Sequence, residues 1–157
     1  MFSIIASVGK NNEIGKKGEL VFHLKEDMEF FRKTTKNHTV VMGLNTWLSL
    51  PGKLKNRKNI VICEKDVPKA DQTVKDLPSF IKNNQNTPEE IFVIGGGVIY
   101  KEFLPYAETI YLTEIDASDE KADTFFPIFD KAKYKTTLIK KGSEDGLNYS
   151  IVKYNKI

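Results

Sequence analysis

The sequence is poor in the side chains that build disulfides and metal sites. Its 157 residues include a single cysteine, Cys63, and two histidines, His23 and His38, which have no metal-ligand spacing to each other. One thiol excludes an intramolecular disulfide and a cysteine-based zinc site, so we expect no metal and a reducing compartment, the cytoplasm. Long hydrophobic runs are also lacking. The first apolar run, residues 1–8, ends at Gly9 and is not preceded by basic residues. This predicts neither a signal peptide nor a membrane span.

The charge is nearly balanced, with 24 Lys and Arg against 21 Asp and Glu and a net charge of +3. Arginine is scarce, because Arg32 and Arg57 are the only two and the other 22 basic residues are lysines. The densest basic run, residues 53–58, has no aromatic residues within it, and a short run of this kind usually forms a solvated loop. A nucleic-acid surface needs a concentrated basic stripe. We therefore expect no nucleic-acid partner.

The length predicts one domain over residues 1–157. Five runs are rich in β-branched residues and nearly continuous in hydrophobicity: residues 2–8, 39–42, 59–63, 91–94 and 109–113. Helical patterns lie at residues 25–35, 45–50, 77–83 and 98–104. Polar and apolar residues alternate over 134–140 and 148–154, on either side of a turn at 142–146. The pattern predicts an α/β fold, a mostly parallel central sheet flanked by helices on both faces with an antiparallel C-terminal hairpin.

Glycine stands at two junctions between a predicted strand and a predicted helix. Gly43 precedes Asn45 and Thr46, whose side chains suit a helix N-cap, and residues 95–97 are all glycine. Free amides at a helix N-terminus bind phosphate, and glycine lets the phosphate approach. The second junction matches only part of the dinucleotide fingerprint, because Tyr100 stands at its third glycine. Glycine used only for a tight turn fits the junctions equally well.

The helix predicted over residues 25–35 carries an acid on its apolar face. Leu24, Met28 and Phe31 follow the spacing of a buried face, and Asp27 falls on that face. One interpretation is a first-turn acid favoured by the helix dipole. The other is a carboxyl group in an apolar pocket, where desolvation raises the pKa and the group can manage a proton.

Short segments along nearly the whole chain carry a family resemblance through their order and spacing. They are Ile5-Ala6, Ile14-Gly15, Asp27, Phe30-Phe31, Val41-Met42-Gly43, Thr46-Trp47, Arg57-Lys58-Asn59, Ile94-Gly95-Gly96-Gly97, Tyr100, Phe103-Leu104, Leu112-Thr113, Ile115-Asp116 and Asp123-Thr124. Together they resemble bacterial dihydrofolate reductase, and so many ordered matches are more specific than any single motif. The resemblance implies reduction of 7,8-dihydrofolate to 5,6,7,8-tetrahydrofolate by hydride transfer from NADPH.

The resemblance also implies a role for individual residues. In the catalytic centre, Asp27 promotes protonation of the substrate, Thr113 supports Asp27, and Phe22 lies beside them. Substrate contacts follow for Ile5 and Ile94 in the pterin pocket, for Met28, Phe31, Leu50 and Leu54 around the substrate's midsection, and for Arg57, whose planar fork suits the α-carboxylate. Cofactor contacts follow for Ala6, Ser7, Ile14 and Gly15 at the nicotinamide, and for Gly43, Leu44, Asn45, Thr46, Cys63, Glu64, Lys65, Gly95, Gly96, Gly97, Val98, Ile99 and Tyr100 elsewhere. A cis peptide bond between Gly95 and Gly96 and a mobile loop over residues 9–24 are further implications.

The chain departs from the family pattern at several of these positions. Phe22 stands where tryptophan is usual, which removes an indole donor near the pterin. Leu44 replaces a basic residue, and Glu64 follows Cys63 where small hydroxyl side chains are usual, at positions that would face the adenosine 2′-phosphate. Glutamate repels a phosphate but accepts a hydrogen bond from a free ribose hydroxyl, although Lys65 offers compensation and Glu64 could simply face solvent. We hypothesise reduced discrimination for NADPH over NADH.

Two other functions remain open at this point. A nicotinamide-dependent reductase of a riboflavin-pathway pyrimidine would share the glycine junctions but should not require both Asp27 and Arg57. A non-enzymatic nucleotide-binding or RNA-binding module would use residues 53–58 and bind with steep salt dependence. For the favoured function, the expected partner is the small molecule dihydrofolate, with no membrane contact and a monomeric protein.

Overall fold

The computed structural model describes residues 1–157, which form eleven strands, four α-helices and two short 3-10 helices, Leu104–Tyr106 and Lys131–Lys133. The strands are β1 (Phe2–Val8), β2 (Glu13–Lys16), β3 (Glu19–Leu20), β4 (Thr39–Gly43), β5 (Lys58–Ile62), β6 (Gln72–Val74), β7 (Ile91–Gly95), β8 (Ala107–Ile115), β9 (Thr124–Phe125), β10 (Tyr134–Glu144) and β11 (Leu147–Lys156). The helices are α1 (Lys25–Thr35), α2 (Leu44–Ser49), α3 (Leu77–Asn84) and α4 (Gly97–Phe103). No helix is long and apolar enough to cross a membrane.

Eight strands form one sheet in the order β10-β11-β8-β1-β7-β4-β5-β6. The pairs from β8 to β6 are parallel, whereas β11 pairs antiparallel with both β8 and β10. The predicted parallel sheet with an antiparallel hairpin at one edge is therefore confirmed. The C-terminal hairpin turns at Asp145 and Gly146, both of which have positive φ.

Helices cover both faces of the sheet because its central strands bury side chains in both directions. On β4, for example, Val40 and Met42 belong to one buried cluster and Val41 to the other. Phe30 and Phe31 of α1 and Trp47 of α2 pack on the first face. The opposite face is covered by α3 and α4, through Phe80, Ile81, Tyr100 and Phe103.

Parallel pairing brings the carboxyl ends of neighbouring strands to one edge of the sheet. Ser7 near the end of β1 lies opposite Thr113 of β8, and Met42 of β4 lies opposite Gly95 of β7. Gly43 follows directly, so both glycine junctions lie next to each other at this edge. A small three-stranded sheet, β3-β2-β9, is not hydrogen-bonded to the main sheet, and its strands β2 and β3 lie within the loop over residues 9–24.

Two expectations about local structure are corrected. The four strands β2, β3, β6 and β9 were not predicted, because each has at most four residues and none forms a continuous apolar run. Met28 was expected on the buried face of α1, but its side chain is 58% exposed. Helical spacing locates the apolar face, but it cannot show that the sheet leaves part of that face uncovered. The bounds of α1 agree with the prediction, and other boundaries differ by a few residues.

Candidate active site

Asp27 lies in the first turn of α1 and contacts Thr113 near the end of β8. Its carboxylate oxygen Oδ1 accepts a hydrogen bond from Thr113 Oγ1. Burial raises the pKa of Asp27, while the hydroxyl groups of Thr113 and Ser7 act in the opposite direction. The group is thus biased toward its protonated form without being shut off from the cleft.

The helix dipole does not explain the position of Asp27. The first amides of α1, those of Lys25 and Glu26, donate to the Glu144 carboxylate at 2.8 and 3.2 Å. Glu144 lies at the end of β10 and therefore caps the helix from another element. Because the helix terminus already has an acidic partner, Asp27 is available to face the cleft.

The cleft around Asp27 is lined by apolar side chains from the same face of the sheet. Ile5 is 5% exposed and belongs to one buried cluster, against which Phe31, Leu50, Leu54 and Ile94 pack while staying partly exposed. Met28, the next residue after Asp27, lies at the open side. The predicted substrate-binding side chains near Asp27 are thus apolar, which suits a flat heterocycle with a single polar edge.

Arg57 lies on the same side of the molecule and carries an unpaired charge. Its Nε donates to Lys55 O at 2.9 Å, its Nη1 donates to Thr35 Oγ1 at 3.1 Å, and the guanidinium lies over the Phe31 ring, 5.9 Å from its centroid. No carboxylate forms a salt bridge with it. Burial lowers the pKa of Arg57, and the nearby charge of Arg32 adds to this effect. An oriented guanidinium without an acidic partner is suited to an anionic ligand group.

Arg32, in contrast, is exposed and paired within its own helix. Its Nη2 lies 2.6 Å from Glu29 Oε1 and its Nε lies 3.1 Å from Glu29 Oε2. The structure therefore shows Arg32 in a surface ion pair with Glu29.

Sequence reasoning missed the residue that holds the Arg57 loop. Asn59 is fully buried, its Oδ1 accepts from Leu54 N at 3.0 Å, and its Nδ2 donates to Leu54 O and Arg57 O at 2.9 and 3.0 Å. Lys53 pairs with Asp71, whose carboxylate also accepts from Asn59 N at 2.6 Å. The basic run is therefore a loop with fixed backbone. The sequence signals for it were an asparagine at the start of a strongly apolar strand and its place in the segment Arg57-Lys58-Asn59, but neither indicated this role.

The two glycine junctions form a second concave region beside Asp27. The helices that begin there, α2 and α4, have Gly43 and Gly96 as N-caps and no side-chain cap. Their first amides are therefore available to a ligand, whereas α3 is capped by Asp76. The predicted cis peptide bond between Gly95 and Gly96 is present.

Close packing explains why these junctions need glycine. A Cβ at Gly43 would lie 3.0 Å from Ile99, and one at Gly97 would lie 3.0 Å from Thr124 Cγ2. Gly95 has φ of +129° and faces Thr46 Oγ1 and the Tyr100 hydroxyl. That hydroxyl donates to Ile5 O at 2.8 Å, and burial followed by the Asp27 charge raises its pKa. Tyr100 thus connects the glycine junction to the Asp27 pocket.

The remaining predicted cofactor residues lie around these junctions with very different exposure. Val98 is 73% and Leu44 37% exposed, and Asn45, Glu64 and Lys65 are also exposed, while Cys63 is partly buried. Across the cleft, Ala6 and Ser7 lie at the end of β1, and Gly15 follows the buried Ile14 on β2. Phe22 packs partly buried near Leu24 and Ile115. Glu64 has no salt-bridge partner.

A buried acid that sequence reasoning also missed fixes the loop before α1. Glu13 is 2% exposed, and its carboxylate accepts from Asn11 N at 2.7 Å and from Asp119 N at 2.6 Å. Burial would raise the pKa of Glu13, but these amide hydrogen bonds lower it below its usual value. Asp123 N donates to Gly15 O at 3.0 Å. The loop that carries Ile14 and Gly15 is thus held in place by two separate contacts, one through Glu13 and one through Gly15.

Comparison with known proteins agrees with this geometry. A sequence profile described as dihydrofolate reductase matches residues 1–156. The chain belongs to the dihydrofolate reductase family. It is 36% identical over 162 residues to the dihydrofolate reductase of Bacillus subtilis, covering 99% of this chain and 95% of that protein. It is also 38% identical over 148 residues to the enzyme of Buchnera aphidicola from Acyrthosiphon pisum, with 93% and 91% coverage.

The fold is shared with a solved structure of the same family. The Enterococcus faecalis dihydrofolate reductase, complexed with NADP(H) and RAB-propyl, superposes with a TM-score of 0.88 at 24% identity and covers 99% of this chain and 96% of that one. The predicted family, fold class and enzyme class, an NADPH-dependent dihydrofolate reductase, are therefore confirmed. Membership decides against the two alternative functions considered from the sequence.

Proposed function

We propose that this chain reduces 7,8-dihydrofolate to 5,6,7,8-tetrahydrofolate with Asp27 as the residue that controls the proton. The observation that carries this assignment is a carboxyl group with a raised pKa in an apolar cleft, held by Thr113. A carboxyl group in such a place binds the polar edge of a heterocycle and favours its protonated form.

Reduction of a carbon–nitrogen double bond adds a hydride to carbon and a proton to nitrogen. NADPH supplies the hydride when it is bound. Asp27 hydrogen-bonds the pterin's amino group and ring nitrogen and promotes protonation beside the hydride acceptor. Thr113 fixes the orientation of the Asp27 carboxylate, while Ile5 and Ile94 exclude water from the reacting edge.

The residues at the glycine junctions fit NADPH. Two uncapped helix N-termini side by side suit the pyrophosphate. At Gly96, the N-cap of α4, the absent side chain leaves the backbone open to a phosphate. The related Enterococcus faecalis protein binds NADP(H). We propose that Ala6, Ser7, Ile14 and Gly15 contact the nicotinamide.

Cofactor discrimination depends on the far end of this site. Leu44 and Glu64 are exposed there and offer no positive charge to a 2′-phosphate, and Lys65 is the adjacent cation. A carboxylate at this place disfavours the phosphate of NADPH and tolerates the free hydroxyl of NADH. We propose that NADPH is the cofactor and that kcat/KM with NADH is lower by an unusually small factor.

Arg57 is the proposed partner of the substrate's α-carboxylate. Its contacts to Lys55 O and Thr35 Oγ1 hold the guanidinium, and the remaining N–H groups have no protein partner. Phe31, Leu50 and Leu54 pack on one face of the sheet, and we propose that they contact the substrate's aromatic midsection. The site therefore places a carboxyl group, that of Asp27, at one end of the ligand and a cation, the Arg57 guanidinium, at the other.

We further propose that residues 1–157 act as one domain and as a monomer in the cytoplasm. One sheet spans the chain from β1 to β11, which supports a single folding unit. Each residue assigned to the reaction comes from one chain, so a second copy is not needed to complete the site. The lone Cys63 is compatible with a reducing compartment.

The test is oxidation of NADPH by the purified protein on addition of dihydrofolate, compared with NADH. We expect turnover with wild-type protein and loss of most of it at neutral pH in Asp27→Asn. Asp116→Asn is the matched control, because Asp116 is an exposed acid at the same edge that pairs with Lys10 at 3.1 Å. Absence of dihydrofolate-dependent oxidation with either cofactor would overturn the proposal.

A further inference from the structure

Ser7 carries the one buried side-chain oxygen or nitrogen that has no hydrogen-bond partner. Buried polar groups are paired in the great majority of cases, and an unpaired one costs roughly 1–3 kcal/mol. Alanine would fit the same backbone without this cost. The hydroxyl group of Ser7 therefore calls for a partner in the working enzyme.

The register of the sheet directs this hydroxyl toward Asp27. Ser7 of β1 lies opposite Thr113 of β8 in a parallel pair, and residues opposite each other project from the same face. Thr113 uses that face to donate to Asp27. Two pairs earlier, and so on the same face, Ile5 and Tyr111 lie opposite each other and pack together on the α1 side. Two neighbouring strands thus present two hydroxyl groups to one carboxylate.

We propose that the Ser7 hydroxyl is a second donor to Asp27 and acts with Thr113 as a positioning residue for that carboxylate. A carboxylate accepts about four hydrogen bonds, so both hydroxyl groups can be accommodated. Donation to an ionised oxygen is stronger than donation to a neutral one. Ser7 would therefore hold the ionised form in place between turnovers and limit how tightly Asp27 keeps its proton.

No charged side chain stabilises the ionised form of Asp27, so its stabilisation depends on hydroxyl groups. Burial raises the pKa of Asp27, and the opposing effects come from Thr113 and Ser7, with none from a lysine, arginine or histidine. Tyr100, the titratable group that faces Asp27 from α4, is neutral because burial raises its pKa further still. From β11, Lys153 lies over the Tyr111 ring, at 5.5 Å from its centroid.

A direct titration of Asp27 in the protein without ligands tests the proposal. The carboxyl carbons of aspartate are labelled with carbon-13, and the Asp27 signal is identified by its loss in Asp27→Asn. We expect Ser7→Ala to increase the proton affinity of Asp27 roughly tenfold, because it removes a hydrogen bond to the charged form. Ser7→Thr keeps a hydroxyl group and should keep the wild-type titration.

Ser3→Ala is the matched control on the same strand and face. Ser3 Oγ donates to Glu90 at 2.6 Å, far from Asp27, so this variant should lose some stability but keep the Asp27 titration. The proposal is overturned if Ser7→Ala leaves the titration unchanged, if Ser7→Thr behaves like Ser7→Ala, or if Ser3→Ala shifts it equally. A higher KM for NADPH or dihydrofolate with an unchanged titration would assign Ser7 to a ligand instead.

The catalytic consequence rests on the proposed function and is measured separately. In Ser7→Ala, the decline of the hydride-transfer rate with rising pH should move to higher pH, as the proton affinity of Asp27 does. A shifted titration in a protein that does not reduce dihydrofolate would support the Ser7 contact and contradict the proposed function.

Discussion

Replacing Arg57 with lysine should weaken the binding of dihydrofolate about 30-fold while leaving the hydride step nearly unchanged. Two of the guanidinium's N–H groups donate to Lys55 O and Thr35 Oγ1, the others have no protein partner, and the group lies over the Phe31 ring. A lysine in this place keeps the charge but loses both the plane and the paired donors. The loss of one charge-assisted hydrogen bond is worth about 2 kcal/mol.

The assay separates binding of the tail from chemistry at the pterin. Steady-state rates are measured with dihydrofolate and with a dihydropterin that lacks the glutamate tail. For Arg57→Lys, KM should rise with dihydrofolate at nearly constant kcat, and kcat/KM with the tailless substrate should equal that of the wild type. Arg32→Lys is the matched control, because Arg32 is exposed and pairs with Glu29. The reasoning is refuted if Arg57→Lys stays within twofold of the wild type, or if both substrates lose equally.

Further predictions concern Asp27, Glu64 and Asn59. Because folding raises the pKa of Asp27, the stability that this group contributes is greatest at low pH and is lost as pH rises through the pKa of the folded state. At pH 7, Asp27→Asn should therefore unfold at a higher denaturant concentration than the wild type. In acid this difference should vanish. Equal midpoints at pH 7 would contradict it. Wild-type kcat/KM should favour NADPH over NADH by less than about a hundredfold, and Glu64→Ser should widen the preference whereas Lys65→Gln should narrow it. Asn59→Ala removes three side-chain hydrogen bonds and should lower the free energy of unfolding by about 3 kcal/mol and raise the KM for dihydrofolate.

Much of the fold follows from local patterns that the sequence displays openly. The central strands are apolar on both faces, and the C-terminal strands alternate, so a parallel sheet with an antiparallel edge could be predicted. The two glycine junctions could also be predicted from local sequence, because in each a strand pattern ends in glycine and a helical pattern follows. In these places local sequence and tertiary environment favour the same structure.

The parts that could not be predicted depend on contacts between distant segments. Asn59, Glu13 and Glu144 each satisfy backbone amides through hydrogen bonds that helical or strand periodicity does not encode. Met28 is the opposite case, in which a local pattern predicted a contact that the fold does not make. Its helical spacing indicated burial, but its side chain is exposed. The position of Asp27 on the apolar face was visible and the family resemblance implied the support from Thr113, whereas the placement of Ser7 opposite Thr113 depended on the register of β1 and β8.

The pH dependence of single-turnover hydride transfer tests the central claim, that Asp27 controls the proton. With wild-type protein saturated with NADPH, the rate should be high in acid and fall as pH rises through the raised pKa of the Asp27 site. In Asp27→Asn, the rate at neutral pH should be lower by roughly 10² to 10⁴-fold. It should then increase steadily with acidification, because the proton must come from solvent. A variant that keeps both the wild-type rate and the wild-type profile would contradict the account.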